Sequence, residues 1–160
     1  MSNELVLAYN YAKAFDFFDG LALVKQNGKY VFIDSSNNVV VPIEYSKANP
    51  FSNELALVER EGNDSPFLRA KDKSIGNFYF INRSNEIVLN FDYRMVFPFI
   101  NGLALVYDDN NFGFINTSGN VVIDFKYDSV PPAHPFRDGT AYVQKDGEWF
   151  YIDRQGKRLK

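Results

Sequence analysis

The sequence predicts an all-β protein built from four tandem repeats of about 37 residues, each made of three short antiparallel strands. Three observations predict it. One phrase recurs four times, as FFDGLALV at 17–24, FSNELALV at 51–58, FINGLALV at 99–106 and FRDGTAYV at 136–143. An aromatic-Ile-Asp/Asn triplet follows each phrase, as Phe32-Ile33-Asp34, Phe80-Ile81-Asn82, Phe114-Ile115-Asn116 and Tyr151-Ile152-Asp153. Between them lie short apolar runs bounded by turn residues, the pattern of strands rather than helices. A fixed period marks a repeat architecture. The repeats run near 17–50, 51–98, 99–135 and 136–160, with 1–16 joining the last, in a single domain over 1–160.

The third copy shows how a repeat is assembled. Leu103 to Val106 is the first strand, Asp108-Asp109-Asn110-Asn111 turns the chain, and Phe112 to Ile115 is the second strand. Asn116 to Asn120 turns it again, and Val121 to Ile123 is the third strand. This second turn recurs, beginning with Asp34, Asn82, Asn116 or Asp153 and carrying Asn37, Asn85, Gly119 or Gly156 fourth. An Asp or Asn side chain can bond the backbone two residues on, and Gly or Asn accepts a positive φ, so a type I turn followed by a left-handed residue is expected. The runs Leu21-Ala-Leu-Val24, Tyr30-Val-Phe-Ile33 and Val39-Val-Val41 are apolar at consecutive positions, so both faces of each sheet are expected to be covered by neighbouring copies. The recurring Ala22, Ala56, Ala104 and Ala141 allow that close approach, and Phe17, Phe51, Phe99 and Phe136 read as core between sheets.

The ends bear on topology. Tyr45, Tyr93 and Tyr127 close their copies, and aligning Tyr11 with them makes Leu5-Val6-Leu7 an orphan third strand. The fourth copy stops at Lys157-Arg158-Leu159-Lys160, too polar and short for a third strand of its own. The N-terminal strand is therefore expected to complete the last repeat and close a propeller-like ring, with an open β-solenoid or a barrel as the alternatives.

A chain of 160 residues with no Cys needs no covalent staple and offers no thiolate for zinc, iron-sulfur or nucleophilic chemistry. The net charge of -3 provides no global basic field for nucleic acid or anionic lipid, and suits a basic protein partner better. The N-terminus lacks a charged and apolar leader pattern, and no apolar run is long enough to span a bilayer, so a soluble cytoplasmic protein is expected.

Few residues suggest chemistry. His134 is the single histidine and sits in Pro131-Pro-Ala-His-Pro135, a connector context rather than a convergent site. Asp19, Asp34, Asp138 and Asp153 fall on repeated turn positions, and Asp108 to Asn111 lacks the spacing of a calcium loop. No catalytic residue, metal site or cofactor is expected. The strongest departure from the repeat is a fourteen-residue expansion in the second copy, within Glu61 to Asn77. Its Phe67, Leu68, Arg69, Lys71 and Lys73 form a mixed apolar and basic stretch suited to an interface, and this arm is the expected partner-binding site.

The series Pro98-Phe99, Gly102, Ala104, Val106, Phe112-Gly113-Phe114-Ile115-Asn116, Gly119, Val121-Val122 and Tyr127-Asp128 resembles the bacterial WG-containing repeat, also called the KWG repeat. Trp149 keeps the eponymous Trp. The Trp-Gly pair itself is Tyr30-Val31, Phe78-Tyr79, Phe112-Gly113 and Trp149-Phe150, so no copy holds both residues. The resemblance implies an interaction module. A shorter likeness, Trp149-Phe-Tyr-Ile before Asp-Arg-Gln-Gly, is to the choline-binding repeats of cell-wall proteins. The expected function is thus a monomeric, non-catalytic protein-binding module, of the adaptor or the inhibitor and immunity type. The alternative is a glycan or cell-wall binding module using aromatic clefts between repeats.

Overall fold

The computed structural model describes residues 11–59, 78–91, 93–131, 136 and 138–159. All regular structure in them is β. The strands are β1 (Lys13–Phe18), β2 (Leu21–Gln26), β3 (Lys29–Ile33), β4 (Val39–Tyr45), β5 (Lys47–Ala48), β6 (Ala56–Glu59) and β7 (Phe78–Ile81). They continue as β8 (Ile87–Asn90), β9 (Met95–Val96), β10 (Leu103–Tyr107), β11 (Phe112–Asn116), β12 (Val121–Tyr127), β13 (Thr140–Lys145) and β14 (Glu148–Asp153). Among the described residues no helix is long and apolar enough to cross a membrane.

Three of the four sheets are four-stranded antiparallel meanders, β1-β2-β3-β4, β5-β6-β7-β8 and β9-β10-β11-β12, rather than the expected three strands. The extra strand precedes the turn of the recurring phrase, and in the first sheet it includes Phe17 itself. Asp19-Gly20, Asn101-Gly102 and Asp138-Gly139 carry two successive positive φ values, as does Asn53-Glu54. That is the type I′ turn of a tight hairpin, so the Asx-Gly in the repeated phrase turns one strand into the next instead of leading into the first. The fourth sheet has β13 and β14 at its centre. Ser129 bridges to Gln144 on one side, and Arg158 bridges to Ile152 on the other.

That last bridge lies at the position expected of a completing third strand. Arg158 opposes Ile152 as Val121 opposes Ile115, and the Leu159 N–H donates to the Tyr151 carbonyl at 2.8 Å. The Asx turn at Asp153 swings the chain back along β14. Arg158 then pairs with Glu148 and lies 4.4 Å from the Phe150 ring centroid, so a polar residue is held where an apolar strand was expected. Leu5 to Leu7 lie outside the described residues.

The turns after the second strands are as the sequence predicts. The Asp34 carboxylate accepts from the N–H groups of Ser36 and Asn38 at 2.9 and 2.8 Å, and Asp153 accepts from Gln155 and Lys157 at 3.0 and 2.9 Å. Asn82 and Asn116 do the same with their side-chain oxygens. The fourth residues, Asn37, Asn85, Gly119 and Gly156, all have φ between 62 and 81. Hydrogen bonds from the Asn38 side chain and backbone hold the Asp34 carboxyl below its ordinary range.

The described residues form two compact units, one reaching Asn90 and the other from Phe91 onward. In the first unit, Leu23, Phe32, Val41 and Tyr45 of one sheet pack on Phe51, Ala56, Val58, Tyr79 and Ile81 of the next. In the second unit, Leu105, Phe114, Ile123 and Tyr127 pack on Phe136, Ala141, Val143 and Ile152. The pairing is the same each time. The recurring Phe of the following copy meets the aromatic of the preceding triplet edge-on, Phe51 to Phe32 at 4.7 Å and Phe136 to Phe114 at 4.9 Å between centroids. The closing Tyr of a copy reaches the next Asx turn: Tyr45 donates to Asn85, and Tyr127 to the Gly156 carbonyl at 3.3 Å. Tyr11 donates likewise to Asn37 at 2.8 Å. Burial and the neighbouring Asp153 and Asp124 push the Tyr127 phenol above its ordinary range, keeping it a hydrogen-bond donor.

Two expectations fail locally. Phe51, Phe99 and Phe136 are buried, but Phe17 is 41% exposed, because every residue of β1 faces solvent. The third strands are also not covered on both faces. Val39, Val40, Val88, Val121 and Val122 are exposed near the start of the outer strand of each four-stranded sheet, and because Val39–Val40 and Val121–Val122 are consecutive, both faces lie open there.

Candidate binding face

The arm residues Phe67, Leu68, Arg69, Lys71 and Lys73, expected to bind a partner, lie outside the described residues, as does His134. Asp19, Asp34, Asp138 and Asp153 occupy turns, two with positive φ and two as Asx acceptors. Asp108 caps its own hairpin tip by accepting from the Asn110 and Asn111 N–H groups at 3.0 and 2.9 Å. A shallow cleft of about 360 Å³ is lined by Glu54, Asn82, Arg83 and Ser84. Arg83 approaches Gly20 there, and Arg154 at the matching turn position donates to the Asn101 carbonyl at 2.7 Å. Arg154 thereby ties the turn of the fourth copy to the hairpin of the third.

The fourth repeat carries a different feature. In the β13–β14 hairpin Ala141, Val143, Phe150 and Ile152 face the core, and the alternation of a strand turns Tyr142, Trp149 and Tyr151 to the opposite side. Tyr142 stands directly across from Tyr151, with Trp149 on the diagonal. The Tyr142 ring is 4.8 Å from Tyr151 and 5.0 Å from Trp149, at 39° and 23° between planes. All three are exposed, at 39% for Tyr142, 38% for Trp149 and 54% for Tyr151. Gln144 shares the face, and Leu159 is exposed where its N–H meets the Tyr151 carbonyl.

Position by position this face corresponds to a covered one. Tyr142 stands where Leu23, Leu57 and Leu105 are buried, and Tyr151 where Phe32, Phe80 and Phe114 are buried. Each exchange adds a hydroxyl, which lets the ring meet water while keeping its apolar body. With no charged group among Tyr142, Gln144, Trp149, Tyr151 and Leu159, the face offers stacking area and a few hydroxyl donors. The Glu148–Arg158 pair lies on the other side, beside Phe150, and lowers the Glu148 carboxyl below its ordinary range. The sequence sets Trp149 and Tyr151 within the repeat pattern and the likeness to choline-binding repeats, without marking them as a binding face. The available signal was the exchange of Leu for Tyr at 142 in one copy only.

The WG containing repeat matches at residues 1–30, 32–63, 80–112 and 112–149, which together cover most of the chain. The chain belongs to this family. The WG dipeptide has a local meaning in its third repeat, where Gly113 holds the Gly position. A Cβ there would stand 2.9 Å from the Ile123 carbonyl oxygen and 3.1 Å from the Phe125 ring. Among solved structures this WG-repeat chain is similar to a eukaryotic initiation factor, with a TM-score of 0.55 and 12% identity over 94% of this chain. It is also similar to BamB from Moraxella catarrhalis, with a TM-score of 0.50 and 11% identity over 90% of this chain. At such identities the likeness concerns the fold, which in BamB is propeller-like. The chain spans 43% of the initiation factor's length and 50% of BamB's. No curated protein matches its sequence significantly.

Proposed function

We propose that this WG-repeat protein is a non-catalytic protein-binding module whose docking face is the Tyr142, Trp149 and Tyr151 side of the fourth repeat. One observation carries the reading. The equivalent faces of the first and third repeats are covered by the following repeat, whereas this one is bare and has Tyr in place of Leu and Phe. Tyr and Trp supply rigid contact area at little entropic cost, and they dominate the energetics of many interfaces. The residues 62–76 of the second repeat are a second contact in this reading. The module acts as an adaptor or as an inhibitor.

The test is capture of its partner from native lysate, followed by affinity measurement with Tyr142→Ala and Tyr151→Ala. Because both side chains are exposed, the melting temperature stays near that of the wild type. Affinity falls at least tenfold; an unchanged affinity sinks the assignment of this face. Deleting 62–76 measures the arm separately. A second reading, glycan binding, is supported by the same three rings, since sugars stack on solvent-facing aromatics. Under it, soluble glycans change Trp149 fluorescence and Tyr151→Ala weakens that change.

A further inference from the structure

We infer that the partner of this aromatic face is a second copy of the same chain, which docks the β1 row so that its Phe17 meets Tyr151. The inference rests on the docking face proposed above and names its occupant. Two contacts inside the molecule carry it. Wherever one repeat packs on the next within a unit, a plug and a seat meet: Phe51 on Phe32, with planes at 63°, and Phe136 on Phe114, at 68°. Phe17 is the plug of the first repeat, five residues before Ala22, as Phe51 and Phe136 precede Ala56 and Ala141. Tyr151 is the seat of the fourth repeat, adjacent to Ile152 as Phe32 and Phe114 adjoin Ile33 and Ile115.

Both are exposed, Phe17 at 41% and Tyr151 at 54%, whereas Phe51 is buried against Phe32 and Phe136 against Phe114. Each has an aromatic surround. Phe15 and Phe18 stand exposed with Phe17 on β1, and Tyr142 and Trp149 flank Tyr151. An exposed edge strand bearing three Phe residues is a feature that folded proteins ordinarily cover. The Ala22, Val24, Val31 and Ile33 face beside Phe17 is already buried, with Tyr11 packed against it. What enters the contact is therefore the β1 row alone. The interface is smaller than those within the molecule, and its formation depends on concentration. Plug and seat are different surfaces, so the contact is heterologous, and copies add head to tail instead of closing as a symmetric pair.

Sedimentation of the full chain over a wide concentration range tests this. The wild type is expected to grow past the dimer with concentration, and Phe17→Glu and Tyr151→Glu each to remain monomeric. Both positions are exposed, so unchanged melting temperatures verify that the variants fold. Mixed in equal amounts, the two variants should form a one-to-one dimer and stop there, because one retains the seat and the other the plug. A wild type monomeric at every concentration overturns the inference, as do oligomers that survive both substitutions or a mixture that yields no dimer. If such a monomer still loses a captured protein partner on Tyr151→Glu, the self-pairing fails and the docking face stands.

Discussion

Ala104 lies directly opposite Ile115 across β10 and β11, and the same Ala to Ile pairing joins Ala22 to Ile33, Ala56 to Ile81 and Ala141 to Ile152. All eight side chains are buried. The methyl group sets how closely another layer approaches, and extra methylenes in such a packed layer force side chains off their rotamers. Ala104→Leu is expected to destabilise by about 1–3 kcal/mol. Thermal unfolding checks this, and an unchanged melting temperature would remove the Ala from that role.

The recurring Phe should matter unequally, although the phrase that carries it is repeated. Phe51 and Phe136 are buried and each stands edge-on to an aromatic of the preceding copy. Removing such a ring leaves a cavity and costs about 3–5 kcal/mol. Phe17→Ala, at an exposed position, should stay within about 0.5–1 kcal/mol of the wild type. Denaturant midpoints of Phe51→Ala and Phe17→Ala provide the comparison; equal losses would mean that Phe17 is covered in solution.

What the sequence made legible was what the backbone demands locally. Asp34 or Asn116, followed three residues later by Asn37 or Gly119, can do little but form an Asx turn with a left-handed fourth residue. Phe51 and Phe136 were legible as core because they recur with the Ala that faces the same layer. The Asp19-Gly20 pair is an equally local sign, since Asx-Gly between apolar runs is the strongest short-range mark of a type I′ turn, and that hairpin supplies the strand by which the four-stranded sheets exceed the expected three. The exposure of Phe17, Tyr142 and Tyr151 was not legible. Their neighbours in the chain resemble those of buried counterparts, and whether a layer covers them is a property of tertiary packing. Only the Tyr at 142 hinted at water.

Gly113 is held to glycine by its surroundings rather than by a positive φ. A Cβ at this position meets the Ile123 carbonyl oxygen at 2.9 Å and the Phe125 ring at 3.1 Å. The carbonyl belongs to the neighbouring strand β12 and cannot move without disturbing the ladder between β11 and β12. Gly113→Ala is therefore expected to cost about 1–3 kcal/mol, the range for overpacking a filled site. Pairing it with Phe125→Ala separates the two obstacles by a double-mutant cycle. If relief comes from Phe125→Ala, the ring was the obstacle; if none comes, the carbonyl was.

Tyr79 occupies the position of Gly113 in the second repeat and shows the opposite problem. Its ring is buried between the first two sheets, and its hydroxyl has no hydrogen-bond partner among the described residues. Burying an unpaired hydroxyl forfeits its bonds to water without replacement, a penalty of about 1–3 kcal/mol. Phenylalanine has the same ring without the polar atom, so Tyr79→Phe should preserve the packing on Leu23, Phe32 and Tyr45 and remove the penalty. The variant is expected to be more stable by about 1 kcal/mol, seen as a higher denaturant midpoint at unchanged slope. A loss of stability instead would show that the hydroxyl is bonded in solution, through a buried water or a residue outside the described ones, and that this face of β7 is wetter than its neighbours imply.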